Sequence, residues 1–306
     1  MRNIYILVIV TFSFFNCFSQ TITGIVTNDV TQEPLLYANV TFLAKNNGVI
    51  TNEKGEFTLN VKGNETDSLL VSYLGFSSQK HGVRDVLLKE KSSVNFQLKE
   101  NKQLIDEVVL SVKKARYTSK KKIGVDKTRT KYGTSVQFGF ENCVLVYNDK
   151  KRKGKLSKLL FFLEKNKQTT FRCYETYYRV KFYEYDHKLK QPGELLSYVP
   201  ILIKPKENKN QKIELDLSNK HILFPKEGLC IGIETVNPKP KRKINKIHTT
   251  YPNLVWTLDD ERLTWMSFMS KPWWEKNRKT PSNRPFSKKK MLYSNPLIQL
   301  EVQYRK

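Results

Sequence analysis

The chain is poor in the side chains that usually carry chemistry, with 4 His and 4 Cys among its 306 residues. No C-x-x-C, H-E-x-x-H or G-x-S-x-G occurs, which removes the common thiolate zinc sites, the zincins and the hydrolase nucleophile elbow. Acid is scarce as well: 29 Asp+Glu stand against 54 Lys+Arg, a formal net charge of +25. Gly 13 and Pro 12 are ordinary values that exclude collagen-like and low-complexity chains. A content of 39% hydrophobic and 12% aromatic residues is enough to build packed cores and excludes wholesale disorder. Beyond the start of the chain, no apolar run approaches the roughly 20 residues that a membrane-crossing helix needs.

The start itself is apolar. Arg2 followed by the run Ile4 to Phe15, with small side chains at Cys17 and Ser19 ahead of Gln20, reads residues 1–20 as a secretory signal. A competing reading lipidates Cys17, although Phe14, Phe15 and Asn16 match the small residues of such a signal poorly. The expectation is an exported protein of the periplasm, outer-membrane periphery or cell surface, with no transmembrane span after the leader. Cys143, Cys173 and Cys230 then remain, an odd number that allows at most one disulfide. Each sits among apolar or aromatic neighbours and reads as a buried small hydrophobe. No metal and no cofactor are expected.

Charge divides the chain. Residues 1–100 hold nine Lys/Arg and nine Asp/Glu, so residues 101–306 hold 54 − 9 = 45 basic and 29 − 9 = 20 acidic residues and the whole excess. This places a boundary near residue 100. An exported protein meets no nucleic acid, so the partners that a basic half suggests are a glycan, lipopolysaccharide or another envelope protein. A merely solubilising lysine-rich surface is the alternative.

Residues 21–98 read as short alternating strands separated by turns: Thr21–Thr27, Tyr37–Ala44, Val49–Thr51, Phe57–Val61, Ser68–Tyr73, Phe76–Gln79, Val83–Leu88 and Val94–Leu98. The turn Asn52-Glu53-Lys54-Gly55 closes a hairpin in which Gly supplies the positive φ. The strings "EPLLYANV", "GVITNEKGEF" and "VSYLGF" in this order resemble the carboxypeptidase-regulatory-like domain, a transthyretin-like β-sandwich. That family occurs behind metallocarboxypeptidase domains and at the mature N-terminus of TonB-dependent receptors and other Bacteroidetes envelope proteins. The matching residues Gly24, Gly55, Gly75, Phe57, Tyr73 and Phe76 imply structural roles only. A zinc carboxypeptidase needs His and Glu three apart, and none of His81, His187, His221 and His248 has Glu at that spacing.

Residues 99–131 read as a basic linker. Its start, NKQLIDEVVLSVKK, resembles the segment that leads into the plug of TonB-dependent receptors, but the remaining length cannot supply a large barrel. The linker is either plainly solvated or an electrostatic foothold on anionic envelope polymers.

Residues 132–306 are again rich in β-branched and aromatic runs. Leu156, Leu159, Leu160 and Leu163 have helical spacing, yet the surrounding order favours a strand. That order, including YYRVKFYEYD, PGELL and DLSNKHILFPKEGLCIGIE, resembles the jelly-roll-like module attached to regulatory-like domains, with Pro192, Gly193, Asp216, Leu217, Pro225, Gly228 and Glu234 at matching places. The overall expectation is an all-β protein, an N-terminal transthyretin-like β-sandwich followed by a C-terminal jelly-roll-like β-sandwich. Its function is expected to be non-enzymatic binding or scaffolding in the cell envelope. Two alternatives stay open: a carbohydrate or lipopolysaccharide binder, and an accessory of an envelope peptidase or TonB-dependent uptake system. The candidate ligand-binding residues are Trp265, Trp273, Trp274 and Glu275, where Trp faces suit sugar stacking. The candidate anion patch is Lys239, Lys241, Arg242 and Lys243, held extended by prolines.

Overall fold

A computed structural model describes residues 21–89, 93–101, 115–125, 130–167, 173–239, 249–276, 279–281 and 291–306. The expected leader, including Cys17, lies outside them.

The N-terminal strands are β1 (Thr21–Asn28), β2 (Asn39–Phe42), β3 (Gly48–Ile50), β4 (Glu56–Asn60), β5 (Ser68–Ser72), β6 (Gln79–Gly82) and β7 (Val94–Leu98), with one helix, α1 (Val83–Lys89). They form a three-stranded sheet, β4-β1-β7, and a four-stranded sheet, β3-β2-β5-β6. Alternation makes the sandwich. In β4 Phe57 and Leu59 are buried while Glu56, Thr58 and Asn60 are exposed, and the inward set meets Val40, Phe42, Leu69 and Val71 from the other sheet.

Gly24 shows why one position must be bare: a Cβ there would lie 2.3 Å from the Val94 carbonyl oxygen of the parallel neighbour β7. Val83–Leu88, expected as a strand, is instead the helix α1. Val83 and Val86 are buried at helical spacing, Leu88 is 69% exposed, and Asp85 adds a carboxylate to the first turn, where the helix dipole favours it.

In the second half the strands are β8 (Lys121–Val125), β9 (Tyr132–Thr134), β10 (Phe140–Tyr147), β11 (Gly154–Glu164), β12 (Cys173–Glu175), β13 (Tyr177–Asp186), β14 (Gln191–Ile203), β15 (Gln211–Asp216) and β16 (Leu223–Phe224). Then come β17 (Gly228–Val236), β18 (Thr249–Tyr251), β19 (Asn253–Asp259), β20 (Thr264–Phe268), β21 (Trp274–Glu275), β22 (Lys279–Pro281), β23 (Met291–Pro296) and β24 (Ile298–Tyr304). A six-stranded sheet, β14-β13-β17-β10-β20-β21, faces a nine-stranded sheet built on β22-β23-β19-β11-β24-β8.

Between these sheets Val144, Val180, Phe182 and Ile231 meet Leu159, Phe161, Trp256 and Leu300, all at most 1% exposed. β11 is a strand despite its helical leucine spacing. A bulge between Leu156 and Lys158 shifts the alternation by one, which turns a period of two into an apparent three. Both halves are therefore antiparallel β-sandwiches, apart from the parallel pairings of β1 with β7 and β12 with β18.

The segment expected as a linker is partly built into this second sandwich. Its residues Lys121–Val125 form β8, hydrogen-bonded to β24, and Thr118 and Arg116 bond to Tyr304 and Lys306. A run of like charge reads as solvated chain, but lysines are also what an edge strand carries against stray pairing. Residues 102–114 and 126–129 of that segment lie outside the described residues.

Phe161→Ala should cost about 3–5 kcal/mol of unfolding free energy in a denaturant titration, while Leu88→Ala should stay within about 0.5 kcal/mol. Equal effects would contradict this core assignment.

Candidate functional site

The centre of the six-stranded sheet is buried on both faces. Along β17 every residue from Gly228 to Val236 is buried, and the same holds for β10 from Glu141 to Val146. One face is the apolar core already described. The other alternates into Glu141, Cys143 and Leu145 on β10, Arg179, Lys181 and Tyr183 on β13, and Cys230, Gly232 and Glu234 on β17.

Four charges lie here at 6% exposure or less. Lys181 Nζ is 2.8 Å from Glu141 Oε2 and 3.0 Å from Glu234 Oε2, and Arg179 Nη1 is 3.1 Å from Glu234 Oε2. Tyr183 donates its hydroxyl to Glu141 Oε1 at 2.8 Å. The set is neutral in sum, which is the condition under which buried charges are tolerated. Gly232 makes room for it, because a Cβ at that position would lie 1.9 Å from Glu141 Oε1.

The electrostatics are unequal. Burial raises the pKa of Glu141, Lys181 draws it back, and Glu234 pushes it up again, leaving it above the ordinary value. Burial also works against Glu234, but Lys181 and Arg179 together outweigh it and hold that carboxyl below its usual range. Desolvation lowers Lys181, and the two carboxylates overcome it to hold the amine above its ordinary value.

This face is covered by the first sandwich. Arg179 Nη2 donates to the carbonyl oxygen of Tyr37 at 2.7 Å, and Asn39 Nδ2 lies 3.5 Å from Ser270 Oγ. Lys271 Nζ donates to the Lys45 carbonyl and, at 3.3 Å, to Asn46 Oδ1. Tyr37, Ile50, Val236, Phe268 and Met269 form an apolar cluster across the junction.

Turns on both sides hold uncommon backbone: Tyr37 at φ 60, Met269 at φ 47 and Ser270 at φ 66. Buried Thr51 fixes the first of these turns. Its hydroxyl donates to the Leu35 carbonyl and accepts from the Ala38 N–H at 2.9 Å, while its carbonyl accepts from the Tyr37 N–H.

Between the sandwiches lies a cavity of about 230 Å³. Glu141, Arg179, Lys181 and Tyr183 form its floor, Asn39, Ser72, Tyr73 and Phe76 come from the first sandwich, and Ser267, Lys271 and Trp273 from the second. Asn39 Oδ1 and Ser72 Oγ are buried without a hydrogen-bond partner.

The expected tryptophan site is taken apart by the fold. Trp265 is 4% exposed and packs in the cluster of Cys143, Leu145, Tyr183 and Cys230, so no sugar can stack on it. Trp273 sits edge-on to Tyr183, with ring centroids 5.3 Å apart, and lines the cavity. Trp274 turns the other way, onto Phe140 at 6.1 Å. Glu275 is exposed and paired with Arg262.

In the expected anion patch Lys239 is exposed and 3.8 Å from Glu175, and Lys241, Arg242 and Lys243 lie outside the described residues. Cys143 and Cys230 are free thiols at 0% exposure on neighbouring strands; burial, then the adjoining Cys230 thiol, raises the Cys143 pKa. No group of three His, Cys, Asp or Glu suited to a metal is gathered among the described residues.

Residues 22–110 match the CarboxypepD_reg-like domain model, and the first sandwich is a domain of that family. Over 97 residues the chain is 35% identical to the TonB-dependent receptor SusC of Bacteroides thetaiotaomicron, which covers 31% of this chain and 9% of the receptor, so under a tenth of that receptor's length is represented. Two solved structures align over most of their length. A candidate carbohydrate binding protein from Bacteroides uniformis shares 9% identity over 91% of this chain and 97% of its own, with a TM-score of 0.22. A candidate membrane-associated protein of unknown function from Bacteroides fragilis shares 11% over 94% and 97%, with a TM-score of 0.19. Values this low define no common fold.

Lys181→Met leaves two buried carboxylates facing each other and should cost about 3–5 kcal/mol by denaturant titration. Because the folded-state pKa of Lys181 is raised, its contribution is complete below the ordinary value of 10.5 and is lost as pH rises through the folded value. The gap between wild type and Lys181→Met should therefore narrow on the alkaline side. On the acid side the depressed Glu234 loses its contribution as pH falls below 4.5 through its folded value, while the raised Glu141 acts in the opposite sense. A pH-independent gap would refute the pairing.

Proposed function

We propose that this chain is an exported, non-catalytic binding protein of the bacterial envelope in which the regulatory-like sandwich caps the second sandwich to form a small polar site. The ligand class is a single polyhydroxylated unit, such as one sugar residue of a glycan. The observation that carries this reading is a cavity lined by the polar side chains of Asn39 and Ser72 from one sandwich and walled by Trp273 and by buried carboxylate, ammonium and guanidinium groups from the other. Hydroxyls both donate and accept, and so suit a site offering both kinds of partner. An aromatic wall suits the apolar face of a sugar ring.

Size supports a small guest. The cavity, about 230 Å³, falls below the roughly 300–1,000 Å³ of pockets for drug-sized ligands. The same space would hold about seven waters, which makes a hydrated joint the competing reading. The likeness to part of SusC agrees with an envelope setting, and the predicted leader with export.

Titration calorimetry of the purified protein against a panel of monosaccharides and short oligosaccharides tests this. Binding of at least one sugar, weakened about 10- to 100-fold by Trp273→Ala and by Asn39→Leu at unchanged thermal stability, is the expected result. No binding across the panel would leave the cavity as a water-filled joint.

A further inference from the structure

At one end of the second sandwich three distant segments converge. The residues that follow β24 bond to both others: the Arg305 N–H donates to the Lys153 carbonyl at 2.8 Å and the Lys306 N–H to the Arg116 carbonyl at 2.9 Å. Arg152 Nη2 donates to the Arg305 carbonyl at 2.6 Å. This architecture brings Lys121, Lys150 and Arg152 together at this end of the sandwich, with Arg116, Lys155 and Arg305 on the segments joined there. Lys155 Nζ lies 4.7 Å from the Tyr117 ring centroid and Lys150 Nζ 5.3 Å from that of Tyr304.

None of the six forms an ion pair among the described residues. The neighbouring Lys121 amine, with some desolvation and the charge of Arg152, holds the Lys150 pKa below its ordinary value. Like charges are thus pressed together; the one acid of the loop, Asp149, acts on Tyr304 and forms no ion pair with them among the described residues. Guarding an edge strand explains lysines on β8, but it does not explain Lys150 and Arg152 in the β10–β11 loop or Arg305 at the end of β24.

We propose that this end of the second sandwich is a docking face for a lipid surface rich in phosphate headgroups. An isolated anion would call for an enclosed pocket, whereas these cations are spread over three segments on an open face, which suits many phosphates presented in a plane. Tyr147, 47% exposed at the end of β10 and just before the cationic loop, adds the kind of amphipathic ring that favours a membrane–water boundary. The face is built from residues separate from those of the inter-sandwich cavity.

Co-sedimentation of the purified protein with vesicles of neutral phospholipid, or of neutral plus anionic phospholipid, tests the proposal. Lys121→Gln/Lys150→Gln/Arg152→Gln is compared with Lys167→Gln/Lys188→Gln/Lys206→Gln, a control of equal charge change at exposed positions elsewhere. Expected are binding to anionic vesicles alone, weakening with added salt, and a loss on the order of a hundredfold in the first variant. The control variant should keep its binding. Absence of binding to anionic vesicles would overturn the proposal, as would equal losses in the two variants. Tight binding to free inorganic polyphosphate without vesicle binding would overturn the lipid source.

Discussion

The structure turns on one buried interaction, the Lys181 ammonium held between the Glu141 and Glu234 carboxylates with Arg179 at its side. Three neighbouring strands each contribute to it, and Arg179 carries it onward to the Tyr37 carbonyl of the other sandwich. Charges this far from water are tolerable only while the set stays complete and neutral. The cluster therefore constrains the strand register of the six-stranded sheet, the bare backbone at Gly232 and the position of the first sandwich over it.

The same arrangement gives the cavity its character. A cap laid on an apolar sheet would close to a dry seam. Here the charged floor and the side chains of Asn39 and Ser72 line the seam with polar groups. The left-handed turns at Tyr37 and at Met269–Ser270 lie along the same seam. Backbone of this kind persists only where its surroundings over-determine it, and Thr51 provides that on the cap side.

Much of the fold was legible in the sequence. Strict alternation in Phe57-Thr-Leu59 and in Tyr178-Arg-Val180-Lys-Phe182 marks strands, and the order of turn motifs marks the first sandwich. α1 was missed because Val83, Val86 and Leu87 fit a short strand nearly as well as a helical face. β8 was missed because a lysine run looks the same on a solvated linker and on an edge strand.

The site was hidden for a related reason. Alternation placed Arg179 and Lys181 on a face that a lone sandwich would expose to water, and nothing local says that a second domain covers that face. The signal that was available is non-local: Glu141 and Glu234 stand in strands otherwise almost wholly apolar, where an acid requires a buried cation. The tryptophans misled in the opposite sense. Their closeness in sequence suggested one platform, but a period of two sends Trp273 and Trp274 to opposite sides, and strand β20 buries Trp265.

Coupling of the two sandwiches through the buried cluster is tested most directly by scanning calorimetry of the purified protein. A seam of this kind predicts a single cooperative endotherm whose calorimetric and van't Hoff enthalpies agree. Two resolved transitions, one for each sandwich, would contradict it.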